Sequence, residues 1–338
     1  MAETVFALGA SHGPLLGTAP ERWNERARFD RANSGLIFRG DTLSFDELLA
    51  RRGPFAQEKI SLESMTERHI GNQRALDLLA KQWGEIADSV DAVIIVSSDH
   101  KEIFGDDLLP GFAVYWGDSV DHVPFTEEQL TNMPPGLSEA ALGDVPSTKI
   151  SRRCDSKLAQ HLIHETLASG FDTCASKVLP AGRYGNHGIP HGWGFIYQRI
   201  LGEQCRVPMV PVFVNTFFEP NPPSAQRCLE FGRALGRAVK CYSEDVRVAW
   251  VASGGLTHFV IDEELDRRFL DALVSRDNDY LSGLTNPVLR SGTSELRNWI
   301  TVAGALEETG LNAQVVGYEP SYRTEAGTGA GMGFVRWV

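Results

Sequence analysis

The chain reads as an α/β protein with a single central sheet, mostly parallel or mixed, helices on both faces and an active site at the C-terminal ends of the strands. Three observations predict this. Short apolar runs alternate with stretches of helical spacing along the chain. The run Asp91-Ala92-Val93-Ile94-Ile95-Val96 is apolar without a break, as in a strand covered on both faces. Histidines recur just beyond the strand ends, where open α/β sheets bind their ligands.

Taken in order, Val5 to Ala10 forms the first strand, ending at Ser11-His12-Gly13-Pro14. Residues 18–60 are irregular and rich in Arg, Asp, Gly and Pro, an insertion or capping segment. From about 61 to 87 the spacing of Leu62, Met65, Ile70, Ala75, Leu78, Leu79, Trp83 and Ile86 is helical. After the strand at 91–96 come a helix near 152–169 and a strand near 171–178. Val207 to Val214 is a strand despite Pro208 and Pro211. A helix over about 223–242, a strand over 246–251 and helices near 262–275 and 294–309 complete the series. With no repeat, low-complexity tract or clean linker, residues 1–338 are expected to form one domain.

Composition narrows the function. The 338 residues carry 32 Lys+Arg against 44 Asp+Glu, a net charge of −12. This acid excess argues against a binder of nucleic-acid backbones or of anionic membrane surfaces. No run approaches the ~20 apolar residues of a membrane span. Met1-Ala2-Glu3-Thr4-Val5 is not the basic start of a signal peptide. The five cysteines (Cys154, Cys174, Cys205, Cys228, Cys241) are scattered, which suits reduced thiols and a cytoplasmic setting.

The histidines carry the chemistry. His12, His100 and His258 each follow a strand, and His187 lies in the loop after the strand near 171–178. His191 competes with His187 for that place. A single loop histidine is more often a solvated turn residue than a ligand, but four at strand exits can converge in one crevice. His161 and His164 are three apart on a helix, in neither the H-E-x-x-H nor the H-x-x-E-H order, so they are helix-surface residues. His69 reads the same way, and nothing requires His122 in a pocket. A carboxylate is offered by Asp262-Glu263-Glu264-Leu265-Asp266, which serves equally as the acidic first turn of a helix. Two imidazoles and one carboxylate on one face of an octahedron are the donors of non-haem Fe(II) oxygenases.

At these residues the sequence resembles the LigB-type extradiol ring-cleavage dioxygenases, which include protocatechuate 4,5-dioxygenase catalytic subunits and gallate and methylgallate dioxygenases. The resemblance rests on Ser11-His12-Gly13-Pro14-Leu15, Ser98-Asp99-His100 with Phe104, Asn186-His187-Gly188, and Val214-Asn215 with Pro222-Pro223-Ser224 and Arg227-Cys228. Its last segment is Gly254-Gly255-Leu256-Thr257-His258 with Glu264, Asp266 and Arg268-Phe269-Leu270. It implies an Fe(II) enzyme that opens a catechol-type ring with O2. His12 and His100 would be the iron imidazoles, Glu264 (in preference to Glu263) the iron carboxylate, and His187 and His258 an acid/base pair. By analogy it also implies a homodimer or larger homo-oligomer. Asn186 departs from the family's usual Asp, and no small subunit is fused to the chain, which leaves the 18–60 insertion to cover the active site. Arg323 is a candidate for holding a substrate carboxylate, with Tyr318 and Tyr322 beside it, and Trp193 and Phe195 for walling the ring; surface exposure and core packing are their ordinary roles. Two rival readings keep the scaffold: a zinc-dependent non-oxidative enzyme and a catalytically silent binding protein.

Overall fold

The computed structural model describes residues 1–53, 57–134 and 136–338. Its strands are β1 (Glu3–Ala10), β2 (Leu36–Phe38), β3 (Asp41–Leu43), β4 (Ala92–Ser97), β5 (Phe112–Tyr115), β6 (Ser119–His122), β7 (Ile150–Arg153), β8 (Cys174–Ser176), β9 (Met209–Val214), β10 (Arg247–Ser253), β11 (His258–Val260), β12 (Ala313–Tyr322) and β13 (Thr328–Trp337). The main sheet has the order β11-β13-β1-β10-β4-β9-β5-β8, with β12 also paired to β13. Its centre, β1-β10-β4-β9, is parallel throughout. Ala10, Ser253, Ser97 and Val214 therefore end on one edge. β13 and β5 pair antiparallel to β1 and β9, making the sheet mixed.

The unbroken apolar run in β4 is explained by its two neighbours above and below. Ala92, Ile94 and Val96 enter a core shared with Phe231, Leu235, Trp299 and Ile300, whereas Val93 and Ile95 enter the opposite core with Leu76, Leu79 and Trp83. Helices Ala225–Cys241 and Leu296–Leu306 cover the first face and helix Leu62–Ile86 the second. β9 tolerates Pro211 because its second partner, β5, pairs only from Val212 onward. Among the described residues no helix is long and apolar enough to cross a membrane.

The long C-terminal hairpin β12–β13 lies outside the elements that periodicity picks out. Its glycines and polar residues dilute the alternation, and pairing on both edges of β13 supplies what local propensity does not. The 18–60 segment, of which 54–56 lie outside the described residues, is more regular than its composition suggests: helix Trp23–Ala32, the β2–β3 hairpin and helix Phe45–Arg52, the last opened by a Ser44/Glu47 capping box. Leu36, Phe45 and Leu48 pack on Val260 and Ala326.

The same segment claims Arg323. Its guanidinium is buried and donates to both carboxylate oxygens of Asp30, at 2.5 and 2.9 Å, while the Thr328 hydroxyl donates to Asp30 Oδ2 at 2.6 Å. Arg323 is thus a structural cation and does not meet a substrate. Removing its partner strands a buried charge, so Asp30→Ala is expected to cost about 3–5 kcal/mol, read from denaturant unfolding. Loss of under 1 kcal/mol would show that the pair is dispensable.

Candidate metal centre and active site

The parallel edge delivers the donors. β1 leads through Ser11 to His12, whose ring is buried. His12 Nδ1 lies 2.8 Å from Ser253 Oγ, and that hydroxyl donates to the Gly192 carbonyl at 2.7 Å. A hydroxyl has one proton to give, so His12 must be the donor in their contact. Its Nδ1 carries the hydrogen, and the Nε2 lone pair faces the crevice. Ser253→Ala should leave this tautomer unfixed and weaken metal binding about 10–100-fold, read by calorimetric titration with Fe(II) under anaerobic conditions.

His100 leaves β4 in the left-handed region (φ 51°), a conformation histidine adopts more readily than most residues. The turn is closed by Asp99, which accepts from the backbone N–H groups of Ile103 and Phe104. His100 Nε2 comes within 3.3 Å of His12 Nε2. Burial pushes both imidazoles down, His100 to about 3, so both are neutral donors at physiological pH.

Glu295 completes the set. It ends the short turn Ser291–Glu295 that enters helix Leu296–Leu306, and its side chain is buried. Oε1 stands 3.1 Å from His100 Nε2, 3.7 Å from His12 Nε2 and 3.9 Å from His258 Nε2, while Oε2 accepts the Gly255 N–H. Burial opposes its charge, but the converging histidines hold the carboxyl below the usual range. Metal–donor bonds of about 2.1 Å at right angles put neighbouring donors about 3 Å apart. Two imidazole lone pairs and a carboxylate oxygen at these separations fit a divalent cation.

His258 begins β11. Its Nδ1 donates to the Leu256 carbonyl at 2.9 Å, which leaves Nε2 an acceptor toward the cavity. The loop is clamped by Asp266, which accepts from the Thr257 N–H, the Thr257 hydroxyl and the Tyr318 hydroxyl, each at 2.8 Å. Gly292 seats the ring, since a Cβ there would come within 2.3 Å of His258 Cδ2.

His191 opens helix His191–Ile196. Its Nδ1 lies 2.6 Å from Glu102 Oε1 and its backbone N–H donates to Glu102 Oε2 at 3.0 Å. Burial opposes the imidazolium, but Glu102 overrides it and raises His191 to about 9. A ring nitrogen of His191 lies within 4.8 Å of those of His12 and His100, so the three form a rival all-imidazole set. Glu295 is the better candidate for third donor, because it is anionic, whereas His191 holds a proton against Glu102.

The sequence-based assignments therefore fare unevenly. His12, His100 and His258 come together. Glu264 does not: its side chain is 81% exposed and pairs with Arg39 at 2.6 Å, on the outer side of its helix. Glu263 bonds Lys59 and Tyr322 instead. His187 points its Nδ1 at the Leu179 carbonyl (2.8 Å) and is not among the residues that line the cavity. Of the pair His187 and His191, the structure brings His191 to the cavity, and Glu295 is a carboxylate that the sequence reading does not name. A signal existed for Glu295, a carboxylate opening a helix otherwise as apolar as Leu296, Trp299, Ile300 and Val302. Trp193 is core, donating its indole N–H to the Ile95 carbonyl, and Phe195 packs within the same core. His122 is buried beside Arg152 and the Asp144 carbonyl, and His161 Nε2 faces the Ala238 carbonyl.

Above the donors lies a cavity of about 730 Å³. Its wall is built by residues 125–134 and 137–144, not by the insertion: among the described residues, none of 18–60 lines it. The insertion is committed elsewhere, to Val260, Ala326 and Arg323.

An α/β sheet that aims two neutral imidazoles and a buried carboxylate at one point, beside a ligand-sized cavity, has the donors to hold a divalent cation. The chain belongs to the LigB family: the family profile described as "Catalytic LigB subunit of aromatic ring-opening dioxygenase" matches residues 60–333. Among curated proteins it is similar to a "2,3-dihydroxyphenylpropionate/2,3-dihydroxicinnamic acid 1,2-dioxygenase" of Rhodococcus jostii (strain RHA1), 30% identical over 169 residues, covering 50% of this chain and 43% of that protein. Proteins of the same name match from Rhodococcus sp (32% over 178 residues, 52% of this chain and 50% of the relative) and Escherichia coli (strain 55989 / EAEC) (29% over 177 residues, again 52% and 50%). The matched stretch thus spans half or less of each of these relatives.

Proposed function

We propose that this chain is a non-haem Fe(II) extradiol dioxygenase that opens a vicinal dihydroxy aromatic ring with O2. The observation that carries the reading is the convergence of His12 Nε2, His100 Nε2 and Glu295 Oε1, 3.1–3.7 Å apart, with His100 and Glu295 lining the cavity. When bound, Fe(II) supplies a Lewis acid that holds the diol and dioxygen together and passes electrons between them. A neutral-donor pair with one carboxylate leaves such an ion a net positive charge, which favours a deprotonated diol.

The remaining work belongs to side chains. A phenol near pKa 10 does not ionise readily at pH 7 without a base. His258 Nε2, an acceptor because Nδ1 is committed to Leu256, is placed to take that proton. His191, held as an imidazolium by Glu102, is placed to return a proton to an oxygen as the O–O bond breaks. The diol itself supplies the four electrons that dioxygen takes up, so no external reductant enters. Both oxygen atoms end in the ring-opened product. The described cysteines are unpaired, which suits a reducing cytoplasm. A homo-oligomer is carried over from the family.

The test is anaerobic reconstitution with Fe(II), followed by oxygen uptake on a panel of catechols, gallates and dihydroxypyridines. Uptake in stoichiometry with diol is the expected result. Silence across the panel from iron-loaded protein would overturn the reading.

A further inference from the structure

The cavity is larger than a diol ring requires. It measures about 730 Å³, whereas a dry cavity of about 150 Å³ already binds benzene. Beyond the histidines its wall is largely carbon. Phe125, Met133 and Leu137 of segment 125–144 line it together with Phe217, Phe218 and Phe259. Phe217 and Phe259 remain 47% and 39% exposed. An apolar group seated among them would take that surface out of water, the main favourable term in binding such a group.

The charges around the wall point the same way. Arg183 is the one Lys or Arg among the described lining residues. It stands at the rim with its side chain 54% exposed, stacked 5.0 Å over the Tyr184 ring and 3.6 Å from Glu102 Oε1. Asp144 lines the same cavity, and its hydrogen bonds are made by its backbone, not its carboxyl. An anionic arm would find its two candidate cations among the described lining residues, Arg183 and the His191 imidazolium, both already shared with Glu102.

Resting on the ring-cleavage reading above, we propose that the substrate is a vicinal diol whose ring carries a bulky uncharged apolar substituent, aryl or alkyl, seated between Phe125, Met133 and Leu137 on one side and Phe217, Phe218 and Phe259 on the other. The metal centre takes the two hydroxyls, and the carbon wall selects the arm. A propionate arm, of the kind in the substrate for which the relatives are named, gains less from this wall.

The experiment compares catechol, 3-phenylcatechol and 2,3-dihydroxyphenylpropionate as substrates of the iron-loaded protein, by oxygen uptake and by anaerobic calorimetric titration. We expect kcat/KM for 3-phenylcatechol to exceed both others by about 10-fold or more, chiefly through KM, and its binding to rank first. Leu137→Lys, which puts a cation into the wall, should reverse the order of the phenyl and propionate diols. Equal rates, or a preference for the propionate that Arg183→Leu removes, would overturn the proposal. Should none of the three be cleaved, the wider panel of gallates and dihydroxypyridines decides the ring-cleavage reading, and the anaerobic binding order still decides whether the wall selects an apolar arm.

Discussion

Glu295→Gln is expected to weaken Fe(II) binding by more than about 100-fold and to abolish ring cleavage, whereas Glu264→Gln is expected to leave both intact. The two glutamates differ in everything but name. Glu295 is buried, with Oε1 3.1 Å from His100 Nε2, and it is the anionic member of the donor set. The amide keeps its shape and its carbonyl but removes the charge that makes two neutral imidazoles a trap for a dication. Glu264 is 81% exposed and, among the described residues, pairs with Arg39 alone. That exposed ion pair contributes about 1 kcal/mol or less. Iron content after anaerobic dialysis, beside calorimetric titration of each variant, distinguishes them. If Glu295→Gln retained a full complement of tightly held iron, the third donor would lie elsewhere, with His191 the first alternative.

A second large effect is expected at His258. His258→Ala should lower kcat by about 10²–10⁴ while leaving iron content near that of the wild type. The division follows from geometry: His258 Nε2 stands 3.9 Å from Glu295 Oε1, beside the donors but outside their closest spacing. Among the described residues no hydrogen bond reaches its Nε2, while its Nδ1 donates to the Leu256 carbonyl. His187→Ala serves as the contrast. Its ring bonds the Leu179 carbonyl away from the cavity, so turnover per iron should change less than about 3-fold, an effect of loop packing alone. Oxygen uptake normalised to iron reads both variants. Loss of iron from His258→Ala would instead make it a ligand.

Much of this molecule is written in local patterns. The both-face apolar run of β4, the helical spacing of 62–86 and the strand ends before His12, His100 and His258 follow from side-chain period and turn chemistry, which act over a few residues. Those three histidines could be assigned because a strand exit in an open α/β sheet has one functional edge. The third donor could not. Glu264 lies in the acidic first turn of its helix and Glu295 is the residue just before its own, and at either place a carboxylate is ordinarily a favourable neighbour of the helix dipole and nothing more. Nor does local sequence separate His187 from His191, four residues apart in one glycine-rich stretch.

What decides between them is packing over long range. The ladder sets β10 between β1 and β4, so Ser253 reaches His12 across 241 positions and Glu102 reaches His191 across 89. Helix Leu296–Leu306 is buried on nearly every side, between the sheet and helix Ala225–Cys241, and that docking turns Glu295 inward. Helix Glu263–Ser275 instead leaves Glu264 to solvent and Arg39. Which way a helix presents a carboxylate depends on the rotation its whole apolar face adopts against its neighbours, and no short window of sequence contains that information.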